Sequence, residues 1–195
     1  MTINPTIEVS ITKKKQSDTT DALTQLIQRC MQNDRSAQAE LYKQFHGKML
    51  GVCLRYFSNR DDALAALNQG FLKIFKNLQL YNSANDFKGW AYRIVQNTAI
   101  DQVRTQIRKD KQMPSSDLVE DLEVSESVIH KLYAKDLLQL MHQLPLTTKV
   151  VFNLFAIEGY SHQEIAETLD MSTGTSKWHV NNARTKLKDW ITTYE

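Results

Sequence analysis

The stretch that decides the fold is GYSHQEIAETLDMSTGTSKWHVNNARTKLK, residues 159–188. Ser161 stands where it can cap a short helix running through Leu169, Asp170-Met171 reads as a tight turn, and Ser172 can cap a second, longer helix. In that second helix Val180, Ala183, Leu187 and Trp190 or Ile191 recur at steps of three and four, so they face a core. Lys177, Trp178, Asn181, Asn182 and Thr185 then point away from it. A short helix, a tight turn and a longer helix make a helix-turn-helix pattern. Lys and Asn on the outward face suit base edges in a major groove, and Thr175 joins them on the reading helix. His179, Arg184, Lys186 and the capped amino end suit phosphates. The competing reading is a solvated surface helix, against which an outward indole weighs.

Outside this stretch the composition is that of an all-α protein. The 195 residues contain three prolines and six glycines, with Leu, Ala, Gln and Lys recurring at helical spacing. The formal net charge is only +2, so nucleic-acid binding must rest on local clusters rather than on a bulk positive field. Cys30 and Cys53 stand alone on helical segments, as buried free thiols of a reducing compartment would. Residues 1–20 hold Lys13-Lys14-Lys15 but no apolar run of signal-peptide or membrane-span length, which predicts a polar leader and a cytoplasmic protein.

A first helix is expected from about Asp21 to Gln32, then a turn at Asn33-Asp34-Arg35, with Ser36 capping the next helix. That second helix buries Leu41, Phe45, Met49 or Leu50, Cys53 and Phe57. The third opens at Asp61-Asp62, whose carboxylates suit the positive end of a helix dipole, and carries Leu64, Leu67, Phe71, Ile74 and Leu78. A loop, Tyr81 to Gly89, leads to a fourth helix, Trp90 to Arg108. Ala91, Val95, Ala99, Ile100, Val103 and Ile107 take one broad side of it; Arg93, Asn97, Asp101, Arg104 and Arg108 form a narrow, mostly basic stripe. Residues 109–130 change character: DLVEDLEVSE carries five acids and no base and reads as an acidic connector. Helical periodicity then returns, with Pro145 at the first turn of a helix holding Val150, Val151, Leu154, Phe155 and Ile157. The expected organisation is a leader 1–20, a helical domain 21–108, the connector 109–130 and a second helical domain 131–195.

Three blocks carry a resemblance: RDDALAALNQGFLKIFKNL (60–78), DFKGWAYRIVQNTAIDQVR (86–104) and LPLTTKVVFNLFAIEGYSHQEIAETLDMSTGTSKWHVNNARTKL (144–187). Together with the first two helices they resemble the extracytoplasmic-function group of bacterial sigma factors, the smallest members of the sigma-70 family, over most of residues 21–190. The resemblance implies a first domain that binds core RNA polymerase and opens the −10 element, a connector directed toward the RNA exit path, and a terminal domain that reads the −35 element. It assigns polymerase binding to the third helix, here Asp61, Asp62, Asn68, Gln69, Phe71 and Lys73. It assigns promoter opening to the loop and fourth helix, here Tyr81, Asn82, Asn85, Phe87, Lys88, Arg93, Asn97, Arg104 and Arg108.

The loop residues offer stacking and hydrogen-bonding groups for an unstacked base, and the arginines can hold the backbone meanwhile. Phe87 and Trp90 read more readily as hydrophobic anchors, which aromatics beside a helix start more often are. Ala65 and Gln69 stand where the family usually carries acids, and Asn181 and Asn182 where many relatives place Arg or an aromatic. The implied partners are core RNA polymerase and promoter DNA, with an anti-sigma factor as a further one the family allows; no cofactor, metal, membrane insertion or small-molecule substrate is expected. The rival class is a stand-alone helix-turn-helix regulator. An enzyme fits less well, because His46, His130, His142, His162 and His179 are scattered without a catalytic or metal-binding motif.

Overall fold

The computed structural model describes residues 21–82, 85–112 and 134–193. Every regular element among them is helical. These are α1 over residues 21–31, α2 (Arg35–Leu54), α3 (Arg60–Asn77), a short 3-10 turn (Leu78–Leu80), α4 (Phe87–Gln112), α5 (Ala134–His142), α6 (Leu146–Ala156), α7 (His162–Leu169) and α8 (Thr173–Thr193). The leader 1–20 and most of the connector lie outside the described residues; α4 continues past Arg108 to Gln112.

Turn chemistry sets the boundaries. Asn33 adopts a left-handed φ of 60°, and Asp34 then caps α2 by accepting the Ser36 and Ala37 backbone N–H groups at 2.9 and 3.2 Å. This corrects the expectation for Ser36, which lies inside the first turn and donates its hydroxyl to the same carboxylate. Arg29 donates to Asp34 as well, which holds that carboxyl down at about 2. Asn59 caps α3, leaving Asp61 and Asp62 in its first turn.

The first core joins the α2 stripe Leu41, Phe45, Met49, Leu50 and Cys53 to Ala66, Leu67, Phe71 and Ile74 of α3 and to Phe87, Ala91 and Val95 from the amino half of α4. Helices α3 and α4 approach closely at Gly70, where a Cβ would lie 2.9 Å from Val95 Cγ2 and 3.2 Å from its Cα. Cys30 and Cys53 are free and buried, and burial pushes both thiols up to about 11. In the second domain Leu140, Met141, Leu144, Ala183 and Leu187 form a smaller core with Phe152, Trp190 and Ile191 against it.

The two domains, read from sequence as joined by the connector, also pack on each other. The carboxyl half of α4, through Ala99, Ile100, Val103 and Ile107, does not turn to its own domain's core. With Val52 and Tyr56 it meets Val150, Val151, Leu154, Ile165 and Leu169. Thus α4 carries one continuous apolar side that serves two partners in succession. No helix among the described residues is long and apolar enough to cross a membrane.

Candidate nucleic-acid interface

The helix-turn-helix is fixed by local chemistry at each joint. Ser161 and Glu164 form a reciprocal capping box: the Ser161 hydroxyl accepts the Glu164 N–H at 3.2 Å, and the Glu164 carboxylate accepts the Ser161 N–H at 2.8 Å. Those bonds hold the Glu164 carboxyl below its usual value. Helix α7 ends at Asp170, in the left-handed region at φ 56°, and Ser172 accepts the Thr175 N–H at 2.9 Å to open α8. Two polar ties that the sequence reading passed over set the pitch of α8. His162 of α7 pairs through Nδ1 with the buried Ser176 hydroxyl at 3.0 Å and stacks on Phe155, while Thr148 of α6 pairs with His179 Nδ1 at 2.9 Å. The spacing His162 to Ser176 carries no periodic signal, because it crosses a turn.

On the opposite side of α8, Thr175, Lys177, Trp178, Asn181 and Thr185 are exposed and Asn182 is half-buried. Trp178 is 59% exposed and meets the His179 ring edge-on. The face expected to read base edges is therefore presented to solvent. Arg184 is exposed, with its guanidinium 5.6 Å from the centre of the Phe155 ring, and Lys186 is half-buried. His179 departs from expectation: it is half-buried, and one ring nitrogen is turned inward to Thr148 rather than outward to a phosphate.

In the first domain the loop before α4 is ordered by aromatic packing. Tyr81 rests on Phe87 and Trp90, and its hydroxyl donates to the Asn85 carbonyl. Asp86 accepts the Lys88 and Gly89 N–H groups at 3.2 and 3.0 Å, which opens α4. Asn82, Asn85 and Lys88 are exposed. Phe87 is only 4% exposed and stacks edge-on with Phe45, which corrects its assignment to a DNA-facing role; it anchors the loop from beneath. Along α4, Arg93, Asn97, Asp101 and Arg108 are exposed and Arg104 half-buried, so the stripe is where the wheel places it. Its charges are partly engaged: Asp101 pairs with Lys73 at 3.4 Å and Arg108 with Asp170 at 3.5 Å. Such exposed pairs contribute little and yield readily to a phosphate.

The outer face of α3 presents Asp61, Asp62, Asn68 and Gln69, with Lys73 half-buried and an exposed Leu72, 67% open to solvent. Phe71, also assigned to this face, is instead 3% exposed and packed on Tyr42 and Phe75. Its place in the apolar stripe of α3 turns it inward.

Comparison with known proteins accords with this layout. The family model for sigma-70 region 2 matches residues 41–109, and that for sigma-70 region 4 matches residues 134–187. The chain is 28% identical over 180 residues to the ECF RNA polymerase sigma-E factor of Haemophilus influenzae, covering 85% of this chain and 93% of that one. It is 25% identical over 183 residues to the ECF RNA polymerase sigma factor SigW of Bacillus subtilis, covering 83% and 92%. Among solved structures, the sigma factor RpoE of Bartonella quintana, crystallised with the anti-sigma factor NepR, covers 79% of this chain and 96% of that one, at 17% identity and a TM-score of 0.47. With one domain matching region 2, the other region 4, and relatives aligned across both, the chain belongs to the sigma-70 family of bacterial RNA polymerase sigma factors, in its extracytoplasmic-function group.

Proposed function

We propose that residues 21–108 act as the domain that binds core RNA polymerase and opens the −10 element, and residues 131–195 as the domain that reads the −35 element, with 109–130 connecting them. The chain directs transcription initiation as a cytoplasmic specificity subunit, with no catalytic turnover of its own. The observation that carries this reading is the outward face of α8: Lys177, Trp178 and Asn181 stand exposed on the amino half of a capped helix held in a helix-turn-helix.

On this reading Thr175, Lys177, Trp178, Asn181 and Asn182 meet base edges, while Arg184 and Lys186 flank them toward phosphates. Asn82 and Asn85 offer hydrogen bonds to a displaced base on a platform made firm by Tyr81 and Phe87, and Arg93, Asn97, Arg104 and Arg108 follow the backbone. Asp61, Asp62, Asn68, Gln69, Lys73 and the exposed Leu72 meet the polymerase. Run-off transcription with purified core enzyme on a genomic library, followed by start-site mapping, tests the assignment. Lys177→Ala is expected to change −35 preference. Arg104→Ala is expected to weaken promoter binding broadly and to reduce its salt dependence. A chain that neither co-elutes with core polymerase nor starts transcription refutes the reading.

A further inference from the structure

We propose that the cleft between the α2–α3 turn, the carboxyl half of α4 and the start of α6 binds a small organic monocarboxylate, with Lys149 as its cation. The cleft encloses about 490 Å³, within the range usual for small-molecule sites. Tyr56, Phe57, Ser58 and Asn59 come to it from the α2–α3 turn, Gln102, Val103 and Gln106 from α4, and Leu144, Leu146 and Lys149 from around the start of α6. The occupant is an effector rather than a substrate, and the site is independent of the division of labour above.

Lys149 singles out this cleft. It is 3% exposed, and its ammonium donates to the Ser58 hydroxyl at 2.8 Å but makes no ion pair among the described residues. The carboxylate buried at the same junction of the two domains, Glu158, is committed elsewhere: it accepts from Arg55 Nη2 at 2.5 Å and from the Tyr92 hydroxyl at 3.0 Å. Burial lowers the Lys149 ammonium to about 8, with no acid close enough to offset it, so the group stays charged at neutral pH. A buried cation held only by a neutral hydroxyl is under-compensated. A carboxylate entering the cleft supplies the missing charge through the stronger, charge-assisted kind of hydrogen bond. The amino end of α6, where Pro145 provides no side-chain cap, adds its positive field at the same place.

The remaining lining selects the class of ligand. Phe57, Val103, Leu144 and Leu146 offer apolar surface to an organic body, and the amides of Asn59, Gln102 and Gln106 offer hydrogen bonds. Asp62, the one acid of the lining, repels a second negative charge. One cation and one acid suit a monoanion and disfavour phosphate, a dicarboxylate or a nucleotide. A lysine that weakens its own fold is also what a residue kept for a ligand looks like.

The test titrates benzoate and hexanoate into the full chain and follows the side-chain amide NMR signals of Gln102 and Gln106. Benzamide and hexanol serve as uncharged counterparts, and inorganic phosphate as the competing anion. Both carboxylates are expected to shift the signals saturably, with a Kd of about 1 mM, the scale for ligands of so few atoms. The uncharged counterparts and phosphate are expected to bind about tenfold more weakly or worse. Lys149→Met is expected to weaken both carboxylates by about tenfold or more while keeping the helical circular dichroism of the wild type. Gln106→Leu, at an exposed position, is expected to weaken them several-fold and supplies the comparison if Lys149→Met loses helicity.

No saturable shift with either carboxylate, equal binding of benzamide or hexanol, phosphate bound as tightly as benzoate, or an unchanged affinity in a folded Lys149→Met would overturn the site. None of these measurements involves polymerase or promoter DNA, so they decide the cleft whatever transcription assays show for the faces of α3, α4 and α8.

Discussion

Replacing Lys149 by Met is expected to stabilise the protein, although it removes a charge and a hydrogen bond. Burial lowers the Lys149 ammonium from its ordinary 10.5 to about 8. Holding it charged at the junction therefore costs about 3 kcal/mol, at about 1.4 kcal/mol for each tenfold loss of proton affinity. Methionine keeps the length and most of the apolar contact of the stem but carries no charge, so that cost disappears. The lost bond to the Ser58 hydroxyl offsets about 1 kcal/mol, and Ser58 is exposed, so its hydroxyl finds water. The net expectation is a gain of about 2 kcal/mol at pH 7, read as a shift in the urea unfolding midpoint.

The same residue gives a pH signature. Below pH 8 Lys149 is charged in both folded and unfolded chains, and the whole cost is felt. Between pH 8 and 10.5 the folded chain gives up its proton first, so the cost fades as pH rises. The wild type is therefore expected to gain about 1 kcal/mol between pH 7 and pH 9 relative to Lys149→Met. His142 lies close enough to feel Lys149, and burial first, then that charge, pushes its imidazole below its ordinary value. A Lys149→Met variant less stable than wild type, or one with the same stability change from pH 7 to 9, would refute the reasoning.

Two further substitutions probe how the faces are positioned. Gly70→Ala is expected to cost about 1–3 kcal/mol in unfolding free energy, because the new Cβ meets both the side chain and the Cα of Val95 and the backbone cannot turn aside. Ser176→Ala is expected to lower stability by about 1–2 kcal/mol, since it leaves His162 Nδ1 without its partner, and to weaken binding to a −35 duplex. Lys177→Ala, by contrast, should weaken that binding with no change in the unfolding midpoint, which separates a residue that positions α8 from one that α8 presents.

The parts legible in the sequence are those governed by neighbours within a turn or two. Of the stripe predicted for α3, Leu67, Phe71 and Ile74 are buried as their spacing requires, as is Leu78 in the turn that follows, while Leu64 is half-buried. Ser161 and Ser172 cap the helices they precede, because a side-chain oxygen there reaches only the N–H groups two or three residues on. The same logic misplaced one cap: Asp34 and Ser36 both stand near the start of α2, and the carboxylate, strengthened by Arg29, holds the capping position. Phe87 shows a second limit. An aromatic beside a helix start reads as contact or as anchor, and the position of Phe45 decides for anchor.

Helix content, the order of the helices, the outward face of α8 and the basic stripe of α4 follow from periodicity, because each depends on residues a few positions apart. The junction does not. Glu158 lies 103 residues from Arg55 and 66 from Tyr92, and Lys149 lies 91 from Ser58. None of these separations has a period, and each residue alone reads as an ordinary surface group. The apolar side of α4 is equally compatible with one partner or two. Tertiary structure alone divides it, because the carboxyl half of that side extends beyond what α2 and α3 cover and must find other apolar surface, which α6 and α7 supply.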